Sequence, residues 1–195
     1  MKFSEIKQIL AKKTVGIAGA GGLGSNCAVA LARVGIGKLI IADFDSIDES
    51  NLNRQYFFHD QIGQKKVFAL SDNIKRINPA TIVECHDVKL DPDKIEEFYS
   101  NCDVIVEAFD LAEAKQMIIE TVLEKLPGKK LVTGIGLAGW GRNNIIKTQK
   151  TDDLYICGDQ SAEVSDELPP LAPRVGIVAN MQANMVLEIL LGEPL

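Results

Sequence analysis

The sequence predicts an α/β chain in which a mostly parallel sheet is covered by helices on both faces. Short apolar runs alternate with segments of helical apolar spacing from residue 14 to residue 133. The run Lys38-Leu39-Ile40-Ile41-Ala42-Asp43 stays apolar from its second residue until Asp43, as a parallel strand buried on both faces requires. The first such run, Val15-Gly16-Ile17-Ala18, breaks into Gly19-Ala20-Gly21-Gly22-Leu23-Gly24 and then resumes as a helical pattern. A strand that turns tightly into a helix is the opening unit of a Rossmann-like, doubly wound fold. The 195 residues suit one such domain, spanning 1–195.

Residues 3–12 open the chain as a short helix, with Phe3, Ile6, Ile9 and Leu10 on one side. Residues 14–18 are the first strand and 22–34 the first long helix, which Gly35-Ile36-Gly37 stops. Residues 38–43 are the second strand. The polar stretch 44–64 is long for a strand-to-helix connection, which marks it as functional. A helix over 64–77 stops at Asn78-Pro79, and 81–85 is the third strand. Asp91 caps a helix running to residue 99, with Pro92 in its first turn. Residues 103–108 are the fourth strand, 110–125 a helix ended by Pro127-Gly128, and 130–133 the fifth strand. Residues 142–147 and 154–157 are expected as two short antiparallel strands at the sheet edge, near the C-terminus. Residues 158–173, acidic and proline-bearing, read as a mobile crossover loop, and 175–191 as a final apolar helix stopped by Gly192.

A net charge of −6 argues against a nucleic-acid surface. No apolar run approaches the roughly 20 residues of a membrane helix. The first residues lack the apolar core of a secretion signal, so the cytoplasm is the expected location. Cys27, Cys85, Cys102 and Cys157 form no C-x-x-C pair and the only histidines are His59 and His86, so no zinc is expected. The first three thiols sit in apolar contexts and read as small hydrophobes.

Ligands of such sheets lie beyond the carboxyl ends of the strands. After the first strand, Gly19, Gly21 and Gly24 stand in G-x-G-x-x-G register, which lets backbone approach a phosphate at the N-terminus of the next helix. Asp43 ends the second strand, 19 residues beyond Gly24, where a carboxylate accepts hydrogen bonds from ribose hydroxyls. These features alone leave an NAD-binding oxidoreductase open.

The next residues point elsewhere. Asp43-Phe44-Asp45-Ser46-Ile47-Asp48-Glu49-Ser50-Asn51-Leu52-Asn53-Arg54-Gln55 fits D-x-D-x-[VI]-x-x-S-N-L-x-R-Q, and this string resembles the ThiF/MoeB/HesA family, bacterial relatives of the ubiquitin-activating enzymes. Gly63-Gln64-Lys65-Lys66 is similar to that family's G-Q-x-K element. Pro173-Arg174-Val175-Gly176, continuing to Gln182-Ala183, is similar to its P-x-V-G-x-x-x-x-x-Q-A helix. The resemblance runs from about Lys13 to Gly192.

The resemblance implies an adenylyltransferase. Such enzymes use ATP and Mg2+ to adenylate the C-terminal Gly-Gly carboxylate of a small ubiquitin-like sulfur carrier protein. It implies that Gly19, Gly21, Gly22 and Gly24 line the phosphate turn and that Asp43 and Asp45 belong to the ATP site. Asn51 would orient a phosphate oxygen or the ribose. Arg54 would grip phosphate through its planar guanidinium, and Lys66 would follow the developing charge, with Lys65 as its alternative. Asp110, after the fourth strand, would hold Mg2+; capping the following helix is its competing role. Cys157 would be the residue for a covalent bond to the carrier, against the reading of an inert thiol at a strand end. Relatives carry an N-terminal arginine that reaches the partner subunit's site, where this chain has Lys2, Lys7, Lys12 and Lys13. The overall pattern is most similar to short-form ThiF proteins, which implies a ThiS-like carrier, thiamine (thiazole) synthesis and a homodimer. Carriers of the molybdopterin or cysteine pathways stay open. The acidic stretch Asp152-Asp153 and 159–167 reads either as a solvated surface or as a clamp over the carrier's tail.

Overall fold

The structure is a computed structural model, described over residues 1–159 and 164–192. Seven strands among the described residues form one sheet: β1 (Thr14–Ala18), β2 (Lys38–Ala42), β3 (Ile82–His86), β4 (Val104–Glu107), β5 (Lys130–Ile135), β6 (Lys147–Thr151) and β7 (Leu154–Gly158). Their spatial order is β3-β2-β1-β4-β5-β7-β6. Every neighbouring pair is parallel except β6 with β7, so the expected doubly wound sheet with an antiparallel edge is present. The helices are α1 (Phe3–Leu10), α2 (Gly22–Val34), α3 (Lys66–Ile77), α4 (Pro92–Tyr99), α5 (Ala112–Lys125) and α6 (Ala172–Leu191).

Period-two alternation explains why the central strands are apolar throughout. Val15, Ile17, Leu39, Ile41, Val104 and Val106 face one core, built with residues of α2, α3 and α6. Ala18, Ile40, Ala42 and Ile105 face the other, built with Ile95 and Tyr99 of α4 and Ile118 and Val122 of α5. All ten of these strand residues are at most 5% exposed, as two covered faces demand. The strand order reverses between β1 and β4, and such a switch point is where sheets of this kind take their ligands.

The turn from β1 into α2 brings two backbone segments into close approach. Gly19 has φ of +100°, a conformation that side-chain-bearing residues avoid. A Cβ on Gly24 would stand 1.8 Å from the Gly19 carbonyl oxygen, so no larger residue fits there.

The C-terminal third departs from the expected boundaries. Residues 142–147 are not a strand: Arg142 has φ of +52° and a single 3₁₀ turn spans Asn143–Ile145. The strand comes later, at Lys147–Thr151. It is an edge strand, exposed at most positions, so its K-T-Q-K-T sequence carries no apolar signal. β7 runs parallel to β5, and only its pairing with β6 is antiparallel. Asp152, with φ of +51°, makes the turn between β6 and β7. α6 begins three residues before the expected start, with proline in its first turn. No helix among the described residues is long and apolar enough to cross a membrane.

Gly24→Ala is expected to destabilise the fold by about 3 kcal/mol or more, because the added methyl meets backbone that cannot yield. Gly176→Ala, in α6 where a Cβ meets nothing within 4 Å, is expected to be neutral or to stabilise by about 0.5–1 kcal/mol. Urea unfolding of the two variants beside the parent checks the pair.

Candidate functional site

The site is assembled beyond the carboxyl ends of β1, β2 and β4. The glycine turn itself, residues 19–22, places the N-terminus of α2 at the sheet switch point. Gly21 is its N-cap and makes no side-chain cap, so the first N–H groups of a 13-residue helix point outward.

Asp43 ties this turn to the end of β2. Its Oδ2 accepts from the Ala20 N–H at 2.7 Å and its Oδ1 from the Asp45 N–H at 2.8 Å. A carboxylate has about four lone-pair positions, so two remain for a ligand's hydroxyl groups. Burial pushes the Asp43 carboxyl above the usual aspartate range, against the lowering effect of the Ala20 N–H and of the Lys66 charge.

The polar stretch 44–64 is a loop with two 3₁₀ turns, Glu49–Asn51 and His59–Gln61. Two residues early in α2 hold it over the glycine turn. Asn26 Nδ2 donates to the carbonyls of Gly22 at 2.7 Å and Arg54 at 2.9 Å. Ser25 Oγ accepts from the Tyr56 N–H at 2.9 Å and donates to the Gly21 carbonyl at 2.6 Å. The stem of Arg54 therefore lies over Gly22: its Cγ is 3.5 Å from where a Cβ would be. The guanidinium uses Nη1 for the Ser50 carbonyl, at 3.1 Å, and for Asn53 Oδ1, at 2.7 Å. Three of its five N–H donors remain without a partner among the described residues. Asn51 shapes the loop from within, its Oδ1 accepting from the Asp48 N–H at 3.1 Å and its carbonyl from the N–H groups of Arg54 and Gln55.

Lys65 and Lys66 diverge. Lys65 Nζ donates to the Phe44 carbonyl at 2.7 Å and pairs with Asp87 at 3.1 Å. Lys66 turns inward: its side chain is 7% exposed and its ammonium pairs with Asp45 Oδ2 at 2.7 Å, leaving two protons to donate.

Asp110 lies in the turn between β4 and α5, exposed, and no hydrogen bond or ion pair joins it to the other candidate residues. It does not cap α5, whose N-cap is Leu111. The turn is anchored by a neighbour that sequence reading passed over. Glu107, fully buried at the end of β4, accepts from Lys115 Nζ at 3.0 and 2.9 Å, from the Phe109 N–H at 2.6 Å and from the Thr133 hydroxyl. Lys115 also donates to the Gly134 carbonyl at 2.9 Å, so strands β4 and β5 and the start of α5 meet at one buried ion pair. The available signal was a single acid closing an apolar strand, with a lysine in the first turn of the helix that follows.

Cys157 is buried in β7 with its thiol pushed up to about 11 by burial, and Thr148 Oγ1 lies 3.8 Å from its sulfur. That is the setting of an unreactive thiol. Of the acidic stretch, Asp153 pairs with Lys130, and Asp159 is buried against Arg174, which also donates to the carbonyls of Gly136 and Gly141. Residues 160–163 of the expected clamp lie outside the described residues. No group of three or more His, Cys, Asp or Glu among the described residues is arranged to hold a metal by itself.

Comparison with known proteins places this geometry in context. "Adenylyltransferase and sulfurtransferase MOCS3" of Caenorhabditis briggsae is 33% identical over 181 residues, covering 89% of this chain and 44% of that protein. "Adenylyltransferase and sulfurtransferase UBA4" of Candida albicans is 29% identical over 97% of this chain and, again, 44% of its own length. The chain thus spans less than half of these two relatives. The "Molybdopterin-synthase adenylyltransferase" of Escherichia coli K12 is 29% identical over 95% of this chain and 76% of its own. Among solved structures, E. coli tRNA N6-threonylcarbamoyladenosine dehydratase, TcdA, in complex with AMP superposes with a TM-score of 0.86 at 22% identity, covering 95% of this chain and 89% of that one. Residues 3–195 match the ThiF family, and the chain belongs to it.

Proposed function

We propose that the chain is an adenylyltransferase that binds ATP on its glycine turn and joins AMP to the C-terminal carboxylate of a ubiquitin-like sulfur carrier protein. One observation carries this reading: the Arg54 stem lies over Gly22 at the start of α2, Lys66 pairs with Asp45 close enough to Asp43 for its charge to act on that carboxyl, and both cations keep unused donors. A redox dinucleotide site needs the turn and the carboxylate but not two convergent cations. The relatives' names, adenylyltransferases in each case, support the same chemistry.

In the proposed reaction a carboxylate oxygen of the carrier attacks the α-phosphorus. The bond from that phosphorus to the bridging oxygen breaks, and pyrophosphate leaves with the electron pair. No proton transfer is needed, so the site's task is positioning and charge neutralisation. Asp43 takes the ribose hydroxyls on its free lone pairs and fixes the nucleoside. The α2 N–H groups take phosphate oxygens. The free face of the Arg54 guanidinium and the two free protons of Lys66 neutralise charge that builds on the phosphates. Asn51 holds the loop that aims Arg54 and is within the family's nucleotide motif. The donor set also fits Mg2+, which is bound through one or two carboxylates plus substrate phosphates and not by an all-protein cage. Asp110, exposed and unpaired among the described residues, is the carboxylate for it, and the metal would supply further neutralisation of the phosphates. The carrier is proposed to be ThiS-like, within thiamine synthesis, and the working unit a homodimer.

ATP–pyrophosphate exchange with a ThiS-like carrier ending in Gly-Gly tests the reading. Arg54→Ala and Lys66→Ala are each expected to slow exchange by about 100-fold or more; near-normal rates in both would refute the assigned roles. The pH profile of ATP binding offers a separate check. Protonating Asp43 removes its acceptor capacity, and its folded pKa lies above 3.8. Binding should therefore weaken as pH falls through that raised value, at a higher pH than an ordinary aspartate would give. Asp43→Asn should lower affinity at neutral pH and flatten this acid limb.

A further inference from the structure

Asp43 and Asp110 both follow strand ends at the site, but they are held in different ways. Asp43 fixes itself through the Ala20 and Asp45 N–H groups. Asp110 is exposed, and no hydrogen bond or ion pair holds its carboxyl among the described residues. The backbone of the turn 108–110 therefore decides where that carboxyl stands. The Ala108 N–H donates to the Ala18 carbonyl at 2.9 Å, and the Ala108 carbonyl oxygen lies 2.9 Å from where a Cβ on Gly19 would be. The Phe109 N–H, next to Asp110 in the chain, donates to Glu107 Oε1 at 2.6 Å. Glu107 is thus the side chain that grips this turn.

A fully buried carboxylate is a costly way to end a strand. In register across the sheet, β2 ends on Ala42, β1 on Ala18 beside Glu107, and Thr133 of β5 lies on the other side. Small residues suffice to close this row of the sheet. The acid stands at the strand end that leads to Asp110. Lys115 meets its charge, with Nζ 3.0 and 2.9 Å from the two carboxylate oxygens and 2.9 Å from the Gly134 carbonyl. Because Lys115 belongs to the first turn of α5, the pair ties the element after Asp110 to the strand before it. A buried ion pair is weak evidence for stability, since apolar residues of similar volume often serve as well or better. Apolar residues cannot accept the Phe109 N–H.

We infer that Glu107 is a positioning residue: its carboxylate, neutralised by Lys115, fixes the Phe109 amide and so sets the Asp110 carboxyl for the Mg2+ that accompanies ATP. This rests on the reading of Asp110 as the metal's carboxylate. Groups that orient a metal ligand without touching the metal govern its affinity. Glu107 and Lys115 have no donor or acceptor left to offer a ligand, so their influence passes through the turn.

Calorimetric titration with ATP, in Mg2+ and in a chelator, tests the inference together with the melting temperature without nucleotide. The quantity read is the metal-dependent gain, the ratio of ATP affinity with Mg2+ to that without. In the double variant Glu107→Leu, Lys115→Met, apolar groups replace the pair and the Phe109 N–H loses its acceptor. Its melting temperature should lie within about 3 °C of the parent or above it. Its metal-dependent gain should fall about tenfold or more, with affinity in the chelator little changed. Glu107→Gln keeps a carbonyl oxygen for Phe109 but leaves the Lys115 ammonium without its counter-charge. It should melt about 5 °C or more below the parent and keep the gain. Stability and metal response should thus part in opposite directions. A parental gain in the double variant would overturn the inference, and so would loss of the gain in Glu107→Gln. A double variant that lost affinity equally with and without Mg2+ would also overturn it, making the pair a support of the whole site. If the double variant does not fold, Glu107→Gln decides alone. A parent that bound ATP equally well with and without Mg2+ would refute the metal reading beneath the inference, and a parent that bound no ATP would refute the functional reading, each distinct from the outcomes above.

Discussion

Gly24 sits so close to the Gly19 carbonyl that a single methyl group would overlap it, and the rest of the site follows from that approach. The contact brings the first turn of α2 down onto the end of β1. It thereby sets the helix N-terminus at the sheet's switch point, with its first N–H groups pointing outward. A longer connection would fill this space with side chains and lose the alignment. Once α2 starts there, Ser25 and Asn26 stand at the height of the loop after β2 and can hold its backbone. That bonding carries Arg54 and Gln55 over Gly22 and Gly21. Asp43 closes the circuit by binding the Ala20 N–H. The cradle is thus fixed from three sides: helix, loop and strand end.

Charge is handled by partial satisfaction. Asp43, Arg54 and Lys66 are each held by enough hydrogen bonds to fix their direction and keep donors or acceptors in reserve. Asp43 spends two lone pairs on backbone, Lys66 one proton on Asp45, and Arg54 two donors on its own loop. The contrast is the Glu107–Lys115 pair one strand away. There the carboxylate receives four donor contacts and the ammonium reaches three acceptors, so nothing is left for a ligand. The saturated pair anchors the turn that carries Asp110; the unsaturated groups lie in the loop after β2 and at its ends.

The sequence made the parts with a strict backbone or chemical requirement legible. Gly19 and Gly24 were readable because their positions admit no side chain. Asp43 was singled out as the carboxylate that closes an apolar strand, and the structure joins it to the turn through the Ala20 N–H. The motifs named Arg54 and, by its final place in G-Q-x-K, Lys66 ahead of Lys65; what the fold adds is that Lys66 turns inward to Asp45 while Lys65 pairs with Asp87. Strand β6 escaped because an edge strand is mostly exposed, and Lys147-Thr148-Gln149-Lys150-Thr151 carries no apolar alternation. The apolar pair Ile145-Ile146 drew the expected strand a few residues early. Glu107 and Lys115 escaped for a common reason: burial of a polar residue is decided by what packs on it, and a single sequence does not state that.

The account centres on transfer of AMP, not of phosphate or of hydride, to a carrier's C-terminal carboxylate. Intact-mass measurement of a ThiS-like carrier incubated with the chain, ATP and Mg2+ addresses this most directly, run beside a carrier lacking its last glycine. The account predicts an adduct of one AMP on the full-length carrier, lost on treatment with hydroxylamine as a mixed anhydride should be, and none on the truncated one. Consumption of ATP with no AMP adduct, or an adduct that forms equally on the truncated carrier, would contradict it.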